Sequence, residues 1–545
     1  MSEKALYRLN PATVVEPLVH RWPAWSHLIS PIPGSLHLSN YQIKVLQSYL
    51  DDPKSHAETC RDVRLRSGPF VDIAVEKAGE VEKLLAEMQS ASRDRIALAG
   101  TVTEFHNKLV REARGQSLTP FYKAIPDAIR GCAELVYDYY NRPSVRFFEG
   151  LLYESPYYAT DLQSFRLFRQ STDGGRAFFM STPRLAGEVA GEEQIDWVRP
   201  FASAAVDELF QLDSLPRPLG EIRELLGMDA EMDAKDEGRL LELLSGEAPA
   251  PVDRPRAGEI RLRYFGHACV LIECDGLAIL TDACVAVRPR ENGIDRFTYQ
   301  DLPPRIDYAL VTHNHHDHFC METLLRLRHK IGCLVVPKAA GTVYGDLSLK
   351  LLARKVGFKH VMEIEALETI PLPDGEIIAA PFMGEHADLA HSKTAYVLRL
   401  GRRSFLFAAD SDCLDKRLYE RLRGILGRIQ TVFIGMECVG APLSWSCGPF
   451  LPIKPDFNQE RTRRYKGCDS ARALEILEAL GASELYIYAM GLEPWLEYLL
   501  GLALSEDSEQ LKQARALIAQ TRARGFTTSK MLFGKDEFHY SPRSH

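Results

Sequence analysis

The sequence predicts an α/β protein in two parts: a mixed, mainly helical α+β N-terminal domain over residues 1–250 and a C-terminal αββα sandwich over residues 251–545. Three observations carry that reading. Residues 245–258 are rich in Pro, Ala and charge and lack apolar periodicity, which marks a linker. Beyond it, β-rich runs alternate with helical patterns, as a layered sandwich requires. Within that part a cluster of histidines directly follows an apolar run, and α/β sheets gather their sites at the carboxyl ends of strands.

The elements follow in order. Residues 71–89 and 93–114 combine helical spacing with strong helix formers, while 165–168 and 177–180 look like short strands. Residues 261–274 and 277–282 read as a hairpin, two β-rich runs joined by Asp275-Gly276. The apolar run 306–312 leads into His313-Asn314-His315-His316-Asp317-His318, and a helical pattern over 321–328 follows. Residues 404–409 form a buried strand that delivers Asp410, and 431–436 form another that delivers Glu437. Helical patterns return over 470–480 and 508–524. There is no internal repeat and no low-complexity segment.

The histidine cluster has the form H-x-H-x-D-H and can hold two metal ions. Side chains alternate in an extended loop, so His313 and His315 project together toward one metal, while Asp317 and His318 turn toward a second. His316 points away as a bystander.

Composition bounds the remaining function classes. At 545 residues, 46% hydrophobic and 26% charged, the chain buries a large core. A net charge of −8 argues against nonspecific nucleic-acid binding. There is no signal-peptide pattern and no apolar run of about 18 residues, so a cytoplasmic enzyme without a membrane span is expected. Eleven cysteines without C-x-x-C spacing fit reduced thiols.

A strand ending in Thr-His-x-His-x-Asp-His, preceded by the 261–282 hairpin, resembles the metallo-β-lactamase fold. The resemblance places Asp282 beneath the metal loop, where a carboxylate orients a ligating imidazole. Its hydrolases supply a third histidine, a bridging aspartate and a last histidine downstream. Here Asp410 stands at the bridging position, with Asp412 as the weaker substitute. The third-histidine position offers Glu385 or His386, and the strand end at 486–491 carries no histidine. A site with fewer imidazoles and more carboxylate is harder, which favours iron or manganese over zinc and leaves an open position for dioxygen. His267 and His391 lack ligand spacing and read as structural.

This combination, with the opening at 9–25, is similar to the diiron β-hydroxylases of nonribosomal peptide biosynthesis. The resemblance implies that His313, His315 and Glu385 bind one iron, Asp317 and His318 the other, and Asp410 bridges, with Glu385 and Asp410 central to catalysis. It also implies dioxygen as cosubstrate and an external electron donor, a reductase or ferredoxin, since the chain shows no G-x-G-x-x-G fingerprint. The implied substrate is an amino acid tethered through phosphopantetheine to a synthetase carrier domain, hydroxylated at its β-carbon for antibiotic biosynthesis. The N-terminal domain would serve substrate or carrier docking and homodimerisation. A zinc or manganese hydrolase of the same fold is the alternative. Two further segments fit a carrier-bound substrate. The tyrosines and phenylalanines between Tyr137 and Tyr158 would cover a channel or meet the carrier, though an ordinary aromatic core is the plainer reading, and the basic run 461–466 would receive a phosphate or an acidic surface, where a solvated loop explains it at least as well.

Overall fold

The computed structural model describes residues 5–62, 65–185, 194–228, 234–249, 251–339, 344, 346–384 and 391–541. From Ile260 onward the chain builds two seven-stranded sheets. The first runs Val361–Ile364, Ile331–Pro337, Ile306–Leu310, Leu277–Thr281, Cys269–Cys274, Ile260–Gly266 and, from the far end of the chain, Asp536–Tyr540. The second runs Thr369–Leu372, Gly375–Ala380, Ala395–Leu400, Arg403–Phe407, Thr431–Ile434, Glu484–Ile487 and Thr528–Met531. Each sheet is parallel in one half and antiparallel in the other. Parallel strands are covered on both faces, so Thr431–Ile434 and Glu484–Ile487 read as continuous buried runs.

The layers follow from what each face buries. Tyr264, Val270, Ile279, Phe407, Phe433 and Tyr486 interleave between the sheets. Helices Lys416–Leu426, Ser470–Leu480 and Glu509–Ala523 cover the outer face of the second sheet through Tyr419, Ile476 and Leu517. The outer face of the first sheet shares one core with helix Met321–Leu327 and with the N-terminal elements, where Leu271, Leu280 and Leu324 join Val14, Phe165 and Leu167. This is the αββα sandwich the sequence predicts. The N-terminal part combines helices such as Ala78–Ala91 and Arg93–Glu112 with a four-stranded antiparallel sheet centred on Thr13–Val19 and Gln163–Arg169.

Three elements differ from expectation. The run 261–274 is two strands, because Gly266 (φ 115°) and His267 (φ 51°) break it and shift the register, so the predicted hairpin is a three-stranded meander. Asp275 and Gly276, at φ 45° and 85°, make the tight turn between its second and third strands. Residues 177–180 are irregular: Phe178 and Phe179 are buried, but apolar content signals burial and not strand pairing. The helix expected over 71–89 starts only at Ala78, after a short 3-10 turn at Val75–Lys77.

Buried polar contacts tie the helix after the histidine loop to the N-terminal part. Arg326 donates to both Asp213 oxygens (2.8 and 2.6 Å) and to the Thr13 carbonyl (2.9 Å), with its guanidinium 4.0 Å from the Tyr299 ring centre. Both partners are almost fully buried. Glu149 reaches across in the other direction, accepting from the Ser348 backbone N–H at 3.0 Å, and burial pushes its carboxyl up to about 7.

Two outcomes follow. Arg326→Ala leaves Asp213 buried without its countercharge, and urea unfolding should show a loss of about 3–5 kcal/mol. The Glu149 carboxyl lies above its ordinary value of 4.5 in the folded state, so the stability it lends is complete below about pH 4.5 and is lost as pH rises through about 7. Glu149→Gln still accepts from Ser348 but cannot ionise. Its Tm should exceed that of the parent above about pH 7 and converge with it in acid.

Candidate metal centre

The site is built upward from Asp282, fully buried at the end of strand Leu277–Thr281. Its carboxylate accepts from the Thr312 backbone N–H (2.7 Å), the Thr312 hydroxyl (2.8 Å) and His318 Nδ1 (2.9 Å). The Nδ1 proton of His318 is thereby committed and its Nε2 lone pair faces the site. The Thr312 hydroxyl, its own proton spent on Asp282, accepts from His313 Nδ1 at 3.0 Å, which turns His313 Nε2 the same way. This is the position below the loop expected of Asp282.

Around those two nitrogens the acids converge. His318 Nε2 lies 2.9 Å from Asp410 Oδ2 and 3.6 Å from Asp317 Oδ2. His313 Nε2 lies 3.7 Å from the same Asp410 oxygen, and His267 Nε2 2.9 Å from Asp317 Oδ2. Two sets of three groups, His267–Asp317–His318 and His313–His318–Asp410, each bring their ligand atoms within 4.8 Å of one another. His318 Nε2 is buried and makes no hydrogen bond among the described residues. Buried carboxylates aimed at imidazole lone pairs are stable only around positive charge, and this nitrogen–oxygen donor set suits a pair of divalent metal ions. Without metal, burial disfavours the charged form of His318, but Asp317, Asp410 and Asp282 outweigh it and hold the imidazole well above its usual range.

His315 lies edge-on to His313, ring centres 4.5 Å apart, on the same side as the alternation predicts. His316 turns away: its Nε2 donates to the Leu499 carbonyl (2.9 Å) and its ring packs on Phe179. Asp410 is aimed inward by Ala409, which adopts φ 47° and donates its N–H to the Tyr488 hydroxyl. Asp412 is engaged elsewhere, paired with Arg472 at 2.7 Å. Glu437 accepts from the Gly440 N–H (2.8 Å) and from Gln510 (3.2 Å), and belongs to neither ligand set. Glu385 and His386 lie outside the described residues. On either side of them, the Met383 carbonyl accepts from the Asp412 N–H and Lys393 is bridged to His313.

His267 is the residue that spacing missed. It sits at the break between the first two sandwich strands, and its carbonyl accepts from the Ala489 N–H (2.9 Å) at the strand end that lacks a histidine. The turn between two strands of the first sheet thus brings an imidazole to Asp317, which follows another strand of the same sheet. The only sequence signal is the Gly-His step interrupting an apolar run. His391, by contrast, is exposed.

The cluster forms the floor of a cavity of about 480 Å³. His267, His315, Asp317 and Asp410 line its base, and Trp25, Phe178, Met180 and Phe450 line its walls, so both parts of the chain build it. None of the aromatic residues between Tyr137 and Tyr158 is among its lining. Tyr139 and Tyr140 are exposed on a hairpin turn and Tyr153 bonds to Ser30, so they cover no channel here.

Comparison with known proteins agrees with this geometry. Residues 8–247 match the family model of the diiron non-heme β-hydroxylase N-terminal domain, and residues 278–436 that of the β-lactamase superfamily domain. The chain is 35% identical over 530 residues to the 4-amino-L-phenylalanyl-(CmlP-peptidyl-carrier-protein) 3-hydroxylase of Streptomyces venezuelae, covering 96% of this chain and 98% of that enzyme. The crystal structure of CmlA, a diiron β-hydroxylase from the same organism, superposes with a TM-score of 0.90 at 32% identity, over 98% of this chain and 100% of that one. A glutamate-to-aspartate mutant of CmlA superposes with a TM-score of 0.88, at the same identity and coverage. The chain is therefore an oxidoreductase that belongs to the diiron β-hydroxylase family with a metallo-β-lactamase fold.

Proposed function

We propose that this chain hydroxylates the β-carbon of an aminoacyl group held as a thioester on a peptidyl-carrier domain, with dioxygen as cosubstrate and electrons from a separate donor protein. The observation that carries the proposal is the carboxylate-rich cluster at the floor of an apolar cavity, in a chain similar over nearly its whole length to a carrier-dependent 3-hydroxylase. Family membership does not favour the hydrolase alternative.

His313, His315 and Glu385 are assigned to one iron, Asp317 and His318 to the other, and Asp410 to both. The assignment of Asp410 rests on its Oδ2, which faces His318 Nε2 and His313 Nε2 together. His267 is assigned to orient Asp317 through their 2.9 Å contact. When bound, a pair of iron ions supplies the one-electron and oxygen chemistry that an unactivated C–H bond demands and acid–base side chains cannot provide. The chain's own residues do the rest. The walls formed by Trp25, Phe178, Met180 and Phe450 exclude water and hold the substrate side chain above the cluster. Glu437, fixed by Gln510 and Gly440, offers a carboxylate to the substrate's α-ammonium group.

Protein expressed in iron-supplemented medium should carry about two irons per chain by metal analysis, and should add one oxygen atom to a carrier-bound amino acid, read by mass spectrometry. Two zincs and thioester cleavage without reductant would refute the proposal. Asp410→Ala should lose most of both metals, since removing a shared carboxylate leaves two cations facing each other. Gly435→Ala tests the same carboxylate from behind. A methyl there would lie 2.9 Å from Asp410 Oδ1, so the variant should fold yet bind at least one metal roughly tenfold more weakly.

A further inference from the structure

We infer that the segment between Val439 and Lys466, on the rim of the cavity, is the surface on which the carrier domain docks, its cationic side chains meeting the phosphodiester of the phosphopantetheine arm. The inference rests on the carrier-tethered substrate proposed above. In such a substrate the thioester and the phosphodiester lie at opposite ends of the pantetheine arm. With the β-carbon at the metal cluster, the arm runs out through the cavity and its one fixed negative charge sits at the mouth. The mouth must therefore be cationic, and the surface beside it must accept a protein.

The rim meets both demands. Val439, Trp445 and Arg464 line the cavity, and Val439 is 40% exposed, so the cavity opens there. The segment beyond is tied to this edge. Arg464 donates through Nε (2.9 Å) and Nη2 (2.6 Å) to the Gly440 carbonyl, and the Tyr465 N–H donates to Ala441. Residues 453–466 carry five cations, Lys454, Arg461, Arg463, Arg464 and Lys466, against two acids, on a chain whose overall charge is −8. Both acids are spent on local structure. Asp456 caps helix Phe457–Thr462, and Glu460 accepts from the Ser444 hydroxyl (2.8 Å) and N–H (3.1 Å). What faces outward is the charge of Lys454 and Arg461, both exposed, together with two large apolar side chains, Ile453 at 77% and Phe457 at 81% exposure. Exposed apolar residues ringed by arginine and lysine are the composition of a protein-binding patch. Tyr139 and Tyr140 are also exposed, but their turn contributes nothing to the cavity lining.

The test compares two probes on metal-loaded, full-length protein by titration calorimetry: a carrier domain bearing L-phenylalanyl-phosphopantetheine, and L-phenylalanyl-pantetheine with neither carrier nor phosphate. The double variant Lys454→Glu/Arg461→Glu should bind the loaded carrier about tenfold or more weakly and the pantetheine thioester as the parent does. Parent affinity for the carrier alone should fall as salt is raised. Phe457→Ser, which leaves charge untouched, should weaken carrier binding without altering its salt dependence. Unchanged carrier binding in all variants, or equal loss of both probes, overturns the inference. A parent protein that binds neither probe overturns it too. Carrier binding that responds to these variants, in a parent that adds no oxygen to either probe, supports the docking surface and refutes the proposed reaction.

Discussion

The centre depends on one buried carboxylate. Asp282, fully buried, accepts three hydrogen bonds, two from Thr312 and one from His318. A buried charge is tolerated only when its acceptor capacity is used, so this network is rigid by necessity. Its rigidity passes upward. Thr312 is fixed, His313 is fixed through Thr312, and His318 is held in the tautomer that presents Nε2 to Asp410. The two imidazole nitrogens that face the cluster are thus oriented by a residue that stands behind them.

Backbone strain collects at the same place. His267, Asp282, Ala409 and Ala489, all at strand ends facing the cluster, adopt positive φ values of 51°, 34°, 47° and 52°. Each costs on the order of 1–3 kcal/mol and persists only where the surroundings over-determine it. Here the surroundings are two fully paired sheets. Strands that stop and turn inward at the edge of the sandwich present His267 and Asp410 to the cluster, where straight strands would carry those side chains past it. Gly435 completes the arrangement by leaving room behind Asp410.

The N-terminal part belongs to the site as fully as the sandwich does. It supplies Trp25, Phe178 and Met180 to the cavity and shares one hydrophobic core with the first sheet. Arg326, one helix beyond the histidine loop, is locked to Asp213 and Thr13. Displacing either part would open the cavity to water and loosen the helix that follows the histidine loop.

Much of this was legible in the chain. The H-x-H-x-D-H run marks the site because its alternation dictates which side chains share a side, and His313 and His315 do lie together while His316 turns away. The apolar runs reveal the buried strands, since a strand covered on both faces is mostly apolar. The strand–helix alternation reveals the sandwich for the same reason. Composition could not distinguish a buried coil from a strand at 177–180, because burial selects apolar side chains whatever the backbone does. Nor could local spacing find His267. Its partner Asp317 is fifty residues away in sequence, and only the pairing of their strands within the first sheet brings them to 2.9 Å. The sequence by itself determined most of the elements and the histidine loop, because these rest on local periodicity and on the chemistry of side chains. The tertiary structure alone decided which distant groups share the cluster, which acids are spent on arginines and caps, and where the cavity opens, because those depend on long-range packing that no local pattern encodes.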